Sequence, residues 1–181
     1  MPTSRSSQLV NAKLNRQLMR FERRFVDLTV GGYVMDVGPK FFLLALVSDR
    51  IWFDGFECFR ISDVRGLSLD PRAHFVESAL KKRGERLPKS PRVNVASIEK
   101  LLISANRLFP LVTIHCEKVD PDVCWIGRVR GIERGRVSVL GIRPDATWHD
   151  EPESYQLSEI TRVSFGGDYE NALHLVGGDP G

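Results

Sequence analysis

Two stretches of the chain, Phe59-Arg-Ile-Ser-Asp-Val64 and Tyr155-Gln-Leu-Ser-Glu-Ile160, match in residue character position by position at an offset of 96 residues. A second pair, Gly32-Tyr-Val-Met-Asp-Val-Gly38 and Gly127-Arg-Val-Arg-Gly-Ile-Glu133, aligns at an offset of 95. The offset barely changes between the two pairs, and its changes fall in loops. The sequence therefore predicts an internal repeat, a duplicated unit of roughly 70 residues.

Each copy of the repeat reads as a series of short strands. In the second copy, alternating apolar residues predict strands at 111–115, 124–132, 136–142, 155–157 and 160–165. Glu133-Arg134-Gly135 predicts a tight hairpin turn, because glycine tolerates the left-handed conformation. An amphipathic helix is predicted before these strands, over 95–109, and a short helix after them, with Asp168 as its N-cap.

The first copy has the same predicted order of elements. A helical stretch covers 6–20, strands lie near 25–30, 33–37, 41–47, 56–60 and 64–69, and a short helix covers 75–80. Gly38-Pro39 and Asp54-Gly55 are predicted hairpin turns. The predicted fold class is α+β, mainly β. It consists of two tandem units, each with a helix, five short strands in a bent sheet or barrel, and a short helix, which is the order of the Sm-like fold.

The charge and the composition divide the chain in a similar way. Residues 1–90 carry 16 Lys/Arg and 10 Asp/Glu, a net charge of +6, whereas residues 91–181 carry 10 and 13, a net charge of −3. Residues 83–94 contain glycine, prolines and basic residues, which predicts an exposed and mobile linker. The predicted domains are therefore 1–82, a basic linker at 83–94, and 95–181.

The overall composition excludes several classes of protein. With 181 residues, 42% apolar residues and a net charge of +3, the chain is an ordinary globular sequence, not a disordered one. No apolar run approaches the roughly 20 residues that span a bilayer, and no secretory signal is visible. Three cysteines, Cys58, Cys116 and Cys124, without a C-x-x-C motif fit a reducing compartment. We therefore expect a cytoplasmic protein that does not bind membranes.

The sequence contains few candidates for catalytic or metal chemistry. His149-Asp150-Glu151 with Glu153 is the densest polar cluster, and we weigh a metal or acid–base role against a solvated acidic loop. Consecutive side chains in a loop diverge, so we prefer the solvated loop. Gly166-Gly167 lacks the rest of a phosphate-binding glycine motif and reads as a turn before a helix. We therefore predict no catalytic residue, no metal and no cofactor.

Basic and aromatic residues in the first half form a candidate nucleic-acid site. Its members are Lys81, Lys82, Arg83, Arg86, Arg50, Arg65, Trp52 and Phe53. Aromatic rings beside basic side chains can stack on bases while the cations neutralise phosphates. The alternative is structural: the basic run is a solvated connector and the aromatic residues cap a core or an interface between units.

Several motifs resemble those of known proteins. The stretches Gly32-Tyr-Val-Met-Asp-Val, Phe41-Phe-Leu-Leu, Phe53-Asp-Gly-Phe, Phe59-Arg-Ile-Ser-Asp-Val and Tyr155-Gln-Leu-Ser-Glu-Ile-Thr-Arg-Val-Ser-Phe-Gly-Gly-Asp-Tyr resemble a family of uncharacterised bacterial proteins, over roughly residues 22–177. More distantly, the architecture is similar to Sm and Sm-like RNA-binding proteins. That resemblance implies small barrels of strongly bent strands.

The Sm-like resemblance also implies where RNA is bound. Sm proteins read RNA through an Asp/Asn-containing loop in a first motif and an Arg-Gly pair in a second. Arg65-Gly66 matches the second motif in the first copy. The loop Val37-Gly38-Pro39-Lys40 lacks the asparagine, and the second copy has Thr161-Arg162-Val163 at the Arg-Gly position, so both copies depart from the pattern.

Three hypotheses about function follow. The first is a non-enzymatic interaction module of duplicated Sm-like units, with a protein or RNA partner or a second copy of the chain. The alternative is weak binding of RNA or single-stranded nucleic acid through the basic N-terminal half. A further alternative is a metal-dependent hydrolase that uses the His149 loop.

Overall fold

Four α-helices and ten β-strands make up the computed structural model of the chain, which describes residues 4–181. The helices are α1 (Arg5–Leu14), α2 (Ala73–Lys82), α3 (Ile98–Leu108) and α4 (Asp168–Gly177). The strands are β1 (Leu18–Arg23), β2 (Val30–Val37), β3 (Phe41–Val47), β4 (Phe53–Arg60), β5 (Val64–Leu69), β6 (Val112–His115), β7 (Cys124–Glu133), β8 (Arg136–Gly141), β9 (Glu153–Gln156) and β10 (Arg162–Phe165). No helix in the described part of the chain is long and apolar enough to cross a membrane.

All ten strands belong to one antiparallel sheet, with the order β5-β1-β2-β3-β4-β10-β6-β7-β8-β9. The predicted α+β class is confirmed, since the chain is about 37% strand and 25% helix. The two halves of the sheet have the same strand order. In each half, the last of its five strands along the chain lies beside the first, and the others follow in chain order. The two halves share one continuous sheet because β4 pairs with β10.

The pairing of β4 with β10 is the junction between the two halves. Its register places Phe56 opposite Phe165 and Cys58 opposite Val163, and all four side chains are buried. Arg60 extends the contact, because its Nε donates to the carbonyl of Ile160 at 2.9 Å. Backbone pairing and apolar burial therefore act together at this junction.

The largest hydrophobic core lies on one face of the junction and contains residues of both halves. Its members include Phe41, Leu43, Ala45, Phe56 and Cys58 from the first half and Val112, Ile114, Val137, Val163 and Phe165 from the second. Helix α3 covers this face with three fully buried residues, Leu101, Leu102 and Ala105. A second core, under α1, belongs to the first half alone and is built around Phe21, Phe42 and Phe59.

The start of the chain differs from the prediction. The helix ends at Leu14 instead of residue 20, and the first strand is β1 instead of a strand near 25–30. Arg16 adopts a left-handed φ of 48°, which a helix cannot accommodate. Burial explains the choice, because Leu14 is 76% exposed whereas Leu18 is 2% exposed. The apolar residues after Arg16 follow the alternation of a strand, not the period of a helix.

The prediction of a hairpin turn at Asp54-Gly55 is wrong, because both residues belong to β4. The turn that joins β3 to β4 lies earlier, where the Ser48 N–H donates to the Trp52 carbonyl. Gly55 has a φ of +71°, and a Cβ there would lie 2.4 Å from the nitrogen of Gly167. Glycine is therefore required at this position, both by its conformation and by the close approach of the other half.

The N-terminus of α4 also differs in detail. Gly167 is the N-cap of this helix, and Asp168, the predicted cap, is its first residue. The missing side-chain cap is supplied from the first half, because Asp54 Oδ1 accepts a hydrogen bond from the Asp168 N–H at 2.7 Å. This contact is a second link between the two halves beside the junction.

Residues 83–94, predicted as an exposed and mobile linker, contain no helix or strand, and most of their side chains are exposed. The end of the segment is nevertheless fixed. Val93 is buried in the largest core, as is Val95 just beyond it. A Cβ on Gly38 would lie 2.3 Å from the carbonyl oxygen of Val95, so the connection packs closely against the first half.

Two leucines of α3 test whether this helix is docked on the shared core. Leu102 is fully buried and Leu108 is 51% exposed. We expect Leu102→Ala to lower the free energy of unfolding by about 2–5 kcal/mol, because it leaves a cavity. Leu108→Ala is the matched control and should change it by no more than about 0.5 kcal/mol. Equal losses in urea denaturation of the two variants would show that α3 is not docked.

Candidate functional site

Most of the predicted nucleic-acid residues lie around one end of α2. Lys81 and Lys82 form its last turn, and Arg83 is its C-cap residue. Lys81 and Arg86 line a groove of about 410 Å³ together with Arg16, Tyr33 and Phe53. We call this the basic groove. The basic side chains are exposed, but Glu77 and Glu85 also line the groove.

Arg83 and Arg50 meet at the neighbouring β3–β4 turn. The Arg83 guanidinium donates hydrogen bonds to the carbonyls of Arg50 and Ile51, the second at 2.8 Å. Ile51 has a left-handed φ of 61°, which is strained for a β-branched residue. Arg83 therefore holds this turn against α2, whereas the Arg50 side chain is exposed.

The two aromatic candidates have different environments. Trp52 is 37% exposed at the β3–β4 turn. Phe53 is partly buried, and its ring packs against that of Tyr33 with a centroid distance of 6.0 Å. The predicted alternative, in which aromatic residues cap a core, describes Phe53 better than a stacking platform does.

Arg65 does not belong to this group. It lies near the start of β5, at the opposite end of that strand from α2, and its carbonyl accepts a hydrogen bond from Arg5 of α1. It is not among the residues that line the basic groove. Three of the eight predicted residues, Lys81, Arg86 and Phe53, line the basic groove, and Arg83 contacts the turn that carries Arg50. Arg65 lies apart from both.

The His149 loop contains one weak ion pair. His149 Nδ1 lies 3.7 Å from Glu153 Oε1, and Glu153 Oε2 accepts a hydrogen bond from Tyr155. Within residues 4–181, no group of three histidine, cysteine, aspartate or glutamate side chains is close enough to hold a metal ion. The cysteines are free: Cys58 and Cys116 are buried and Cys124 is exposed.

A second polar group, which we call the junction cluster, lies where the two halves meet. It consists of Arg23, Glu57, His115, Glu117, Thr161 and Arg162. Arg23 and Glu117, both nearly fully buried, form a bidentate ion pair across the halves. The Arg23 guanidinium lies 4.3 Å from the centre of the Phe59 ring, and Thr161 donates to Glu117 at 2.8 Å.

Arg162 connects the rest of the junction cluster. Its guanidinium lies 3.6 Å from Glu57 Oε1 and also 3.6 Å from Glu117 Oε1. Arg162 Nη2 is 2.9 Å from Nδ1 of His115. Burial and the neighbouring arginines lower the pKa of His115 to about 2, so its ring is neutral. Burial raises the pKa of Glu57, and Arg162 and Arg23 act in the opposite direction.

The junction cluster pairs opposite charges across the two halves. The guanidinium groups of Arg23 and Arg162 face the carboxyl groups of Glu57 and Glu117. The neutral imidazole of His115 accepts a hydrogen bond from Arg162. A histidine with a pKa near 2 is a poor general base at neutral pH. Burial raises the pKa of the Cys116 thiol to about 11, which suppresses its nucleophilic form.

Sequence reasoning missed this cluster, although it predicted the strand at 111–115 that carries His115. Arg23 and Glu117 are separated by 94 residues, so no local motif signals their pairing. The predicted repeat aligns Arg162 with Gly66, so the sequence alone sets a charged residue against a glycine at this position.

Comparison of the chain with protein-family models, with curated proteins and with solved structures gave no match.

The buried ion pair predicts a large stability difference between matched variants. Glu117→Gln leaves the buried Arg23 guanidinium without its charge partner, and we expect a loss of about 3–5 kcal/mol. Asp36→Asn removes an exposed pair with Lys13, in which the side chains are 41% and 39% exposed, and should cost no more than about 1 kcal/mol. Urea denaturation measures both. A Glu117→Gln loss as small as the control would contradict the structural role.

His115 predicts how stability depends on pH. Its pKa is about 2 in the folded chain and about 6.5 when unfolded. Below pH 6.5 the unfolded state therefore binds a proton that the folded state does not. This contribution favours unfolding as the pH falls, by up to about 1.4 kcal/mol per pH unit.

Denaturation between pH 7.5 and 5 tests this contribution, because the raised pKa of Glu57 acts in the opposite direction and must be separated from it. The free energy of unfolding of His115→Gln should fall less than that of the wild type, by roughly 2 kcal/mol at pH 5. His74→Gln, at an exposed position of α2, is the control and should follow the wild type. Identical pH profiles for all three proteins would refute the assignment.

Proposed function

We propose that the chain is a non-enzymatic interaction module made of two Sm-like units in tandem. The observation that carries this proposal is the strand order, in which each half of the sheet places its fifth strand beside its first. A helix precedes the five strands of each unit, and a further helix follows them. The edge-to-edge pairing of β4 with β10 supports a sheet that is extended from unit to unit.

The polar clusters of the described residues agree with an interaction role. The charged groups of the junction cluster form ion pairs with one another, and the His149 loop has one weak pair. The Thr161 hydroxyl donates to Glu117, but Thr161 is buried and this carboxylate is held in the ion pair with Arg23. Turnover of esters, phosphates or nucleotides by the purified protein would overturn the non-enzymatic proposal.

We propose that this module binds a second copy of the chain. The outer edges of β5 and β9 have no neighbouring strand among residues 4–181. In the repeat these two strands correspond to β10 and β4, which pair with each other inside the chain. The half that contains β5 has a net charge of +6 through residue 90 and the half that contains β9 a net charge of −3, so a head-to-tail contact joins opposite charges.

Disulfide trapping tests this head-to-tail contact. If β9 pairs with β5 as β4 pairs with β10, Glu153 lies opposite Ser68, as Glu57 lies opposite Ser164. Ser68→Cys and Glu153→Cys, each in a Cys124→Ser background, should form a mixed disulfide dimer when combined. Ser68→Cys with Glu133→Cys, at the β7–β8 hairpin, is the control and should not. The same mixed-disulfide yield in both mixtures, or a mass of 20.5 kDa by light scattering at every concentration, would contradict self-association.

The second candidate function is binding of single-stranded nucleic acid, and the basic groove favours it. Lys81 and Arg86 are exposed and line the groove. Lys82 is exposed in the last turn of α2, and Trp52 and Arg50 are exposed at the β3–β4 turn that Arg83 holds against this helix. The cationic side chains can neutralise phosphates, and the exposed aromatic ring beside them can stack on a base. The acidic residues of the groove and the structural role of Arg83 keep the expected affinity low.

The salt dependence of binding tests the nucleic-acid candidate. Fluorescence anisotropy of a labelled oligouridine should show affinity that falls steeply between about 50 and 200 mM salt. Lys81→Gln/Lys82→Gln should weaken binding and reduce the slope of log K against log salt by about 1.4. Lys100→Gln/Lys118→Gln, at exposed positions elsewhere, is the matched control. Equal effects of the two double variants would exclude the basic groove.

A further inference from the structure

The face of the junction opposite α3 carries a polar groove. Ladder pairing places Glu57 opposite Ser164, Ser164 opposite Thr113, and Arg162 opposite His115. These side chains share one face of the sheet, and α4 borders it. The resulting groove has a volume of about 230 Å³ and is lined by three carboxylates, Asp54, Glu57 and Glu170, against the single guanidinium of Arg162.

The carboxylates of this groove differ in how far they are satisfied. Asp54 caps α4, and Glu170 Oε1 accepts a hydrogen bond from Thr113 at 2.6 Å. Glu57 is 8% exposed, and its Oε2 is buried without a hydrogen-bond partner. A buried carboxylate oxygen requires a donor, and a carboxylate excess favours a donor that carries positive charge.

The polar groove continues into an apolar one. Cys124, Ile126 and Tyr169 line both the polar groove and an adjoining pocket of about 270 Å³. The wall of this pocket is formed largely by Trp125, Ile142, Pro144, Tyr155 and Leu173. One end of the combined site thus offers acceptors and negative charge, and the other end offers apolar and aromatic surface.

We propose that this combined site binds a small amphipathic organic cation, a primary ammonium group attached to an aromatic or branched apolar body. The ammonium group donates to the carboxyl groups of Glu57 and Glu170, beside the ring of Tyr169. The apolar body occupies the pocket between Trp125 and Leu173. The apolar pocket favours an organic cation over a bare inorganic ion, and the excess of carboxylates in the polar groove disfavours anions.

A set of three isosteric probes tests the charge requirement. 2-Phenylethylammonium, 2-phenylethanol and phenylacetate share a phenyl ring and a short chain but carry positive, zero and negative charge. In calorimetric and NMR titrations of the full chain, the ammonium compound should bind most tightly and phenylacetate least. The affected backbone amides should be those of Thr113, Cys124 and Ser164. Equal binding of the ammonium compound and the alcohol would overturn the proposal.

Two variants and a control test the assigned carboxylates. Glu57→Gln and Glu170→Gln should each weaken binding of the ammonium compound on the order of tenfold, the loss expected for a charge-assisted hydrogen bond. Neither should change the affinity for 2-phenylethanol. Glu133→Gln, at the exposed β7–β8 hairpin, should bind like the wild type. Because Glu170 is partly exposed, its variant keeps the test valid if Glu57→Gln fails to fold. An unchanged affinity in a folded Glu170→Gln protein would overturn the proposal.

Discussion

The pairing of β4 with β10 is the contact on which the rest of the structure depends. It converts two short sets of strands, separated in sequence, into one continuous sheet. Four residue pairs form the ladder, and Arg60 extends it with bonds to the carbonyls of Ile160 and Leu157. The bidentate pair of Arg23 and Glu117 adds a constraint of charge, because neither group can be left alone in the interior.

The two faces of this junction have different roles. On one face, Phe56 and Phe165 join the core under α3, so the apolar surface of both halves is buried together. On the other face, Glu57 and Arg162 of the same strands belong to the junction cluster, and with Ser164 they line the polar groove. The alternation of side chains along a strand explains this division, since neighbours such as Glu57 and Cys58 point to opposite faces.

The parts of the fold that were predictable from sequence are those specified by neighbouring residues, such as turns and amphipathic helices. The Glu133-Arg134-Gly135 turn was predicted, and Arg134 and Gly135 have left-handed φ values of 49° and 74°. The predicted amphipathic stripe of α3 includes the three residues that are buried, Leu101, Leu102 and Ala105, but it also includes Leu108, which is 51% exposed. The strand β1 was missed because leucines spaced four residues apart also suit a helix, and only the conformation of Arg16 separates the two elements.

The candidate site was harder to predict because its contacts are not local. The run at Lys81–Arg86 is contiguous in sequence, so its clustering at the end of α2 was visible in advance. The junction cluster joins positions as far apart as Arg23 and Glu117, and that pairing depends on the shared sheet. Asp54-Gly55 was also misread from local sequence. The pair is typical of a turn, but here Gly55 lets the distant backbone of Gly167 approach closely.

Differential scanning calorimetry of the full chain tests the central claim, that the junction makes the two halves one cooperative structure. The account predicts a single transition whose calorimetric enthalpy equals the van't Hoff enthalpy, because the largest core contains residues of both halves. Two separate transitions, or a calorimetric enthalpy well above the van't Hoff value, would show that the halves unfold independently and would contradict it.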